Sequence, residues 1–202
     1  MGAPELQALV SAVLMPFDEK TLQRRVAGPH DIRMDGMYDV VLRAPGTAVM
    51  DIGCNRGQVG FEFAVNGARL VHGCDHFAEG IWAAKQWFMD MRNVESQFEV
   101  VDLSTGISAL APFRGQRYDI MLLLATYHKL KRIMPPQALT ELVQHLAKRT
   151  SQYFCWRATS EKFQENEQEM AALDRDLGAV DFQRIHTSYI SKCLGVAAIW
   201  SR

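Results

Sequence analysis

Three acidic residues and one histidine occupy positions where side chains commonly meet a ligand. Asp51 ends an apolar segment and opens the run Asp51-Ile-Gly-Cys-Asn-Arg-Gly57. Asp75 ends the next apolar segment, Asp102 lies in the run Val-Val-Asp-Leu, and His128 follows the most apolar stretch of the chain. In open α/β sheets, ligands bind beyond the carboxyl ends of the strands, so these residues are candidates for one site.

The run from Asp51 to Gly57 predicts a strand, a glycine turn and the start of a helix. Glycine lets the backbone approach a ligand because it has no Cβ, and the free N–H groups of a helix start suit a carboxylate or phosphate. The run lacks the G-x-G-x-x-G pattern of dinucleotide sites, and Asp51 would repel a pyrophosphate. A ligand with an ammonium group and a single carboxylate would suit it. The alternative is a turn that needs glycine for structural reasons alone.

The next two acids, Asp75 and Asp102, fit the ribose and the base of a nucleoside. Asp75 follows Asp51 by 24 residues, and an acid at the end of a second strand can accept two hydrogen bonds from a ribose diol. Asp102 can accept a hydrogen bond from an exocyclic adenine amine, while Leu103 offers its backbone N–H and an apolar contact to the ring. The alternatives are a helix-capping role for Asp75 and an exposed strand-end acid at Asp102.

Hydrophobic patterning predicts the elements that would position these residues. Short apolar strands are predicted at 47–53, 68–75, 97–103, 118–125 and 152–158, separated mostly by amphipathic helices. This alternation is typical of a parallel sheet with helices on both faces. Only Ser-Lys-Cys separates the last two strands, which is too short for a parallel crossover. The predicted fold is therefore α/β, with a seven-stranded, mostly parallel sheet, helices on both faces and a C-terminal antiparallel hairpin.

The predicted domain covers residues 44–202, and residues 1–43 form an N-terminal helical extension or lid. Within that extension, five apolar residues recur at helical spacing between Leu6 and Leu14, and Pro16 ends the predicted helix.

Composition narrows the class of protein. The chain has 202 residues, of which 48% are hydrophobic and 22% charged, so it can bury a sizeable core. A net charge of −1 disfavours a strongly basic nucleic-acid module and leaves a local basic patch open. No apolar stretch is long enough to cross a membrane, and the start lacks the basic region of a signal peptide. The widely spaced cysteines, Cys54, Cys74, Cys155 and Cys193, predict reduced thiols in a cytoplasmic protein.

A metal site is not expected. His72, Cys74 and His76 share one face of the predicted second strand, but no second group of ligands accompanies them.

The order DIGCNRG, GCD, VVDL and YDIMLLLATYHKL, with a terminal hairpin, resembles the class I S-adenosylmethionine-dependent methyltransferases over about residues 44–202. The glycine motif of that family usually has a third glycine where Asn55 stands. The Gly-Cys-Asn-x-Gly variant resembles the subset that includes bacterial tRNA wobble-uridine modifying enzymes and some O-methyltransferases of glycans and small molecules.

The resemblance implies S-adenosylmethionine as cofactor and S-adenosylhomocysteine as product. It implies that the methionine part is held by Asp51, Gly53, Asn55 and Gly57, the ribose by Asp75, and the adenine by Asp102 with Leu103. Cys54, His76 and Ala125 adjoin these positions and complete the expected cofactor-binding set.

The segment from Ala125 to Leu130 passes the transferable methyl group in the family that the chain resembles. His128 is therefore a candidate general base, since its neutral form near pH 7 can accept a proton from the acceptor. The alternative is that His128 lines the pocket without a chemical role. Tyr127, Lys129 and Trp156 are the expected acceptor-side residues.

The expected function is O-methylation of a small-molecule or glycan acceptor. One alternative is an RNA (tRNA) modifying methyltransferase, which would need a basic face or an added binding domain. Another is a non-catalytic partner protein that binds S-adenosylmethionine. A nicotinamide oxidoreductase is disfavoured by the missing G-x-G-x-x-G and by Asp51. The identity of the acceptor and the oligomeric state are left open.

Overall fold

Most strands are short apolar segments close to their predicted bounds, whereas β3 and β6 are largely polar and β3 begins and ends two to three residues earlier than predicted. The computed structural model describes residues 36–158, 162–189 and 196–202. Its strands are β1 (Ala48–Ile52), β2 (Leu70–Asp75), β3 (Glu95–Val100), β4 (Tyr118–Leu124), β5 (Thr150–Arg157), β6 (Gln183–Tyr189) and β7 (Val196–Ser201). They form one sheet in the order β3-β2-β1-β4-β5-β7-β6. Strand β7 is antiparallel to both of its neighbours and the other pairs are parallel, so the predicted fold class is confirmed.

Helices cover both faces of the sheet. Their bounds are α1 (Tyr38–Val41), α2 (Gln58–Val65), α3 (Ala78–Phe88), α4 (Tyr127–Ile133), α5 (Pro136–Lys148) and α6 (Phe163–Gly178). A 3₁₀ segment at Leu103–Phe113 is broken by the non-helical backbone of Gly106. The sequence pattern predicts α2, α3, α5 and α6, whereas α4 was not predicted.

Strand β4 lies in the middle of the sheet and is buried on both faces. Met121 and Leu123 point into the core that α4, α5, α6 and the 3₁₀ segment cover. Ile120 and Leu122 point into the opposite core, which α1, α2 and α3 cover. This two-sided burial explains why β4 is a continuous apolar run instead of an alternating one.

The N-terminal part is described only from residue 36 onward, so the predicted helix at 6–14 lies outside the described residues. Cys193 also lies outside them, between the second and third described ranges. In the described part, Met37 and Val40 are fully buried in the core that also contains Val49 of β1. The proposed lid role of residues 1–43 stays a prediction.

Cys54, Cys74 and Cys155 are buried free thiols. No helix among the described residues is long and apolar enough to span a membrane.

Candidate functional site

The carboxyl ends of β1, β2, β4 and β5 open into two adjoining cavities. The first cavity, of about 440 Å³, is lined by residues from β1 to α2 and from the ends of β2, β4 and β5, including Asp51, Arg56, Val59, Phe77, Ala125 and Arg157. The second cavity, of about 420 Å³, is lined by residues that follow β2, β3 and β4, including His76, Asp102, Leu103 and Thr126. Both cavities share Gly53, Asp75 and Lys129 as lining residues. The structure thus brings most of the predicted site residues to one edge of the sheet.

The glycine turn after β1 is needed for packing as well as for conformation. Gly53 has a φ of 77°, in the left-handed region that favours glycine. A Cβ at Gly53 would overlap the Thr126 hydroxyl and lie 2.9 Å from its methyl carbon. Gly57 has a φ of 71°, and a Cβ there would lie 2.8 Å from the Cβ of Ala84 on α3. The sequence argument attributed these glycines to close approach of a ligand. The structure shows that their missing side chains make room for Thr126 and α3.

Asn55 takes the place of the family's third glycine without disrupting the turn. Its φ is 50°, and asparagine is one of the few non-glycine residues that adopt left-handed backbone readily. The Asn55 backbone N–H donates to Asp75 Oδ2 at 2.9 Å. The departure from the family pattern therefore keeps the turn and ties it to the end of β2.

Asp75 lies at the junction of the two cavities. Its Oδ1 accepts a hydrogen bond from the Phe77 backbone N–H at 3.0 Å and lies 3.2 Å from His76 Nδ1. Since Asn55 donates to Oδ2 and Phe77 donates to Oδ1, protein contacts fix both carboxylate oxygens of Asp75. Each oxygen has two lone-pair sites, so the carboxylate can still accept further hydrogen bonds from a ligand.

Asp51 is a buried carboxyl group with one unpartnered oxygen. The residue is 3% exposed, and among the described residues its Oδ2 has no hydrogen-bond partner. Burial and, secondarily, the charge of Asp75 raise the pKa of Asp51 to about 7, against a lowering effect of the Gly60 backbone N–H. An unsatisfied buried acceptor is costly, so a cationic ligand group in the first cavity would stabilise this carboxylate.

Asp102 and Leu103 line the second cavity. Asp102 Oδ1 accepts a hydrogen bond from the Ser104 backbone N–H at 2.9 Å, and hydrogen bonding by Ser104 lowers the pKa of this exposed carboxyl group. The alternative of an exposed strand-end acid that forms a turn therefore describes the contact that Asp102 makes in the structure. Leu103 is buried beside it and provides an apolar wall.

Only some of the residues after β4 line the two cavities, which together form one cleft. Ala125 lines the first cavity with a φ of 54°, which is uncommon for a residue other than glycine. Lys129 lines both cavities. Tyr127 is 4% exposed and packs in the core, and burial raises its pKa to about 12. His128 is half-buried and lines neither cavity; burial, Lys129 and Arg132 lower its pKa.

Two further predicted positions lie elsewhere. Trp156 is fully buried in the core, in edge contact with Trp200 at a ring-centroid distance of 6.4 Å, and it lines neither cavity. His72 is buried, and its Nδ1 lies 2.9 Å from the Tyr118 hydroxyl, which explains the histidine on β2 structurally. In the part of the chain that the structure describes, no three His, Cys, Asp or Glu side chains form a group that could hold a metal.

Sequence reasoning missed Arg157, which is 6% exposed and lines the first cavity at the end of β5. Its backbone carbonyl accepts a hydrogen bond from the Ala125 N–H at 2.8 Å. The available signal was a cation at the end of the predicted fifth strand, in the run Cys-Trp-Arg-Ala.

Comparison with solved structures identifies the fold of the chain. No family model matches the chain, and no curated protein matches it significantly. Among solved structures, the magnesium protoporphyrin IX methyltransferase ChlM from Synechocystis PCC 6803, with bound S-adenosylmethionine, is 20% identical with a TM-score of 0.62, over 91% of this chain and 90% of that one. The N-methyltransferase NodS from Bradyrhizobium japonicum WM9 is 11% identical with a TM-score of 0.62, over 92% and 99%. The ribosomal protein L11 methylase from Lactobacillus delbrueckii subsp. bulgaricus is 13% identical with a TM-score of 0.56, over 83% and 79%. The chain therefore has the class I methyltransferase fold, as the sequence resemblance implied.

Substitution of Gly53 tests the packing of the turn. Gly53→Ala should lower the free energy of unfolding by more than the about 1–2 kcal/mol that left-handed backbone costs a non-glycine residue, because the new methyl group overlaps Thr126. Gly46→Ala is the matched control, since Gly46 also has a positive φ and no atom within 4 Å of an added Cβ. Urea unfolding of both variants measures the difference. Thr126→Ala should restore part of the loss in the Gly53→Ala background, and equal losses for the two glycine variants would contradict the packing argument.

Substitution of Asp51 tests its raised pKa. Between about pH 4 and pH 7 the Asp51 carboxyl should be protonated in the folded chain and ionised in the unfolded chain. The folded state then binds more protons, so this residue makes the free energy of unfolding fall as the pH rises through that range. Asp51→Asn should flatten this slope in urea unfolding measured from pH 4.5 to pH 7.5, whereas Asp90→Asn, at an exposed position, should keep it. Parallel slopes for wild type and Asp51→Asn would rule out the raised pKa.

Proposed function

We propose that this protein is an S-adenosylmethionine-dependent methyltransferase that methylates an oxygen of a small-molecule or glycan acceptor. The observation that carries the proposal is the unpartnered Oδ2 of Asp51, buried at the wall of a cleft that continues past Asp75 into a second cavity. A ligand that combines an amino acid end, with its ammonium group, and a nucleoside matches this layout.

The residues of the cleft fit the parts of S-adenosylmethionine in sequence. Asp51 would face the ammonium group, and the start of α2 with Arg56 would face the carboxylate, because a helix N-terminus and a guanidinium both favour anions. Asp75 would accept hydrogen bonds from the ribose diol. Leu103 would contact the adenine in the second cavity, and Asp102 would lie at its edge.

The bound cofactor supplies an electrophilic methyl group on a sulfonium ion. The chain has to hold an acceptor in line with that methyl group and keep water out. Val59, Phe77 and Leu124 provide apolar walls in the first cavity, and Ala125 lies at the exit of β4. We propose His128 as the general base. It lines neither cavity but directly precedes the cavity-lining Lys129 on α4, and burial, Lys129 and Arg132 lower its pKa, which favours the neutral ring.

Cofactor binding is the first test of this function. S-Adenosylhomocysteine should bind the purified chain at one site with micromolar affinity, as measured by calorimetry. Asp75→Ala should weaken binding by about 1.5–3 kcal/mol, roughly 10- to 150-fold, because hydrogen bonds to a charged acceptor are lost. The same loss should occur with 5′-methylthioadenosine, which keeps the ribose diol. Unchanged affinity in a variant that unfolds cooperatively would exclude Asp75 from the site.

The role of His128 requires a kinetic test. His128→Ala should lower the rate of single-turnover methyl transfer by about 10²–10⁴-fold, the usual contribution of a positioned base, with cofactor affinity nearly unchanged. Tyr127→Phe is the comparison variant on the same helix, and its effect should be mild. A His128→Ala rate within about threefold of wild type would show that catalysis depends on alignment alone and that His128 is not the base.

A further inference from the structure

The first cavity contains more cationic groups than the cofactor requires. Its lining includes the acids Asp51 and Asp75 and the cations Arg56, Lys129 and Arg157. Under the proposed function, the two acids face the ammonium group and the ribose diol, while Arg56 faces the cofactor carboxylate. Lys129 and Arg157 are then left without a role, next to a cofactor that itself carries a positive sulfonium.

Sheet order places Arg157 away from the cofactor-binding strands. Asp75 ends β2 and Asp51 lies on β1, whereas β4 and then β5 follow on the other side of β1. Arg157 pairs with Leu124 of β4 in the sheet register. With neighbouring strands about 4.8 Å apart, the end of β5 lies about 10 Å across the sheet from β1. That distance leaves room beside the cofactor for an acceptor.

Lys129 borders the same space from the first turn of α4. It is exposed, lines both cavities, and among the described residues takes part in no ion pair. Lys131, two residues later on the same helix, instead lies 3.9 Å from the buried carboxylate of Glu169. The two lysines therefore differ in environment, with one directed to the cleft and the other to α6.

We propose that the methyl acceptor carries an anionic group, a carboxylate or a phosphate, that Arg157 and Lys129 bind. This inference rests on the proposed function and specifies its substrate class. A guanidinium presents two parallel N–H donors to such a group, and a lysine adds a point charge. An anion at this position would also offset the repulsion between Lys129 and the sulfonium. Neutral acceptors gain neither contribution.

Small aromatic probes test the proposal without knowledge of the acceptor. Benzoate and phenyl phosphate are titrated into the full chain saturated with S-adenosylhomocysteine, with benzyl alcohol as the neutral probe, and binding is followed by NMR. At least one anionic probe should bind about tenfold or more tighter than benzyl alcohol, and comparison of the two anions distinguishes a carboxylate site from a phosphate site. Lys129→Met should remove this preference, Lys129→Arg should retain it, and the control Lys131→Met should leave it unchanged.

The outcomes separate this inference from the proposed function. S-Adenosylhomocysteine should bind Lys129→Met within about threefold of wild type, because Lys129 does not hold the cofactor. If the wild-type chain binds S-adenosylhomocysteine but shows no preference for either anion, the inference is wrong and the proposed cofactor stands. If Lys129→Met weakens S-adenosylhomocysteine while 5′-methylthioadenosine binds as before, Lys129 holds the cofactor carboxylate and the inference is again wrong. A wild-type chain that binds no S-adenosylhomocysteine overturns both.

Discussion

The carboxylate of Asp75 connects the parts of the site to one another. It accepts backbone hydrogen bonds from Asn55 in the turn after β1 and from Phe77 at the start of α3. Two neighbouring strand ends are thereby fixed around one negative charge at the junction of the two cavities. Hydrogen bonds to a charged acceptor are stronger than neutral ones, so the Asp75 carboxylate is well suited to hold the turn at Asn55.

The electrostatics of the cleft follow from this arrangement. Burial, and secondarily the charge of the nearby Asp75, raises the pKa of the Asp51 carboxyl to about 7, so this group is readily neutralised when the cavity holds no cation. Across the sheet, Arg157 and Lys129 give the opposite side of the first cavity a positive character. Acids therefore lie at the ends of β1 and β2 and two cations lie on the β4 and β5 side, while Arg56 adds a third cation in the turn after β1. The zwitterionic amino acid end of the proposed cofactor and an anionic acceptor would each find complementary charge.

Much of this architecture could be predicted from local sequence patterns. The burial of helices follows from periodicity: Leu139, Leu142 and Val143 of α5 recur at helical spacing and are buried, as is Leu173 of α6. Helix α4 was missed because its seven residues bury only Tyr127 and Leu130, which is too short an apolar pattern to stand out among one histidine and three basic residues. Contacts between segments that are distant in the sequence could not be predicted from local patterns. The contact of Thr126 with the Gly53 turn and the pairing of Arg157 with Leu124 both depend on the assembled sheet. For the same reason the sequence placed Trp156 at the acceptor side, whereas the structure buries it against Trp200.

A crystal structure of the chain with S-adenosylhomocysteine would show which residues contact each part of the ligand. We expect the ribose hydroxyls within hydrogen-bond distance of Asp75, the amino acid end beside Asp51 and Arg56, and the adenine against Leu103. We also expect open space between the sulfur atom and Arg157. S-Adenosylhomocysteine bound away from Asp75, or with its amino acid end on Arg157, would show that this assignment of the site is wrong.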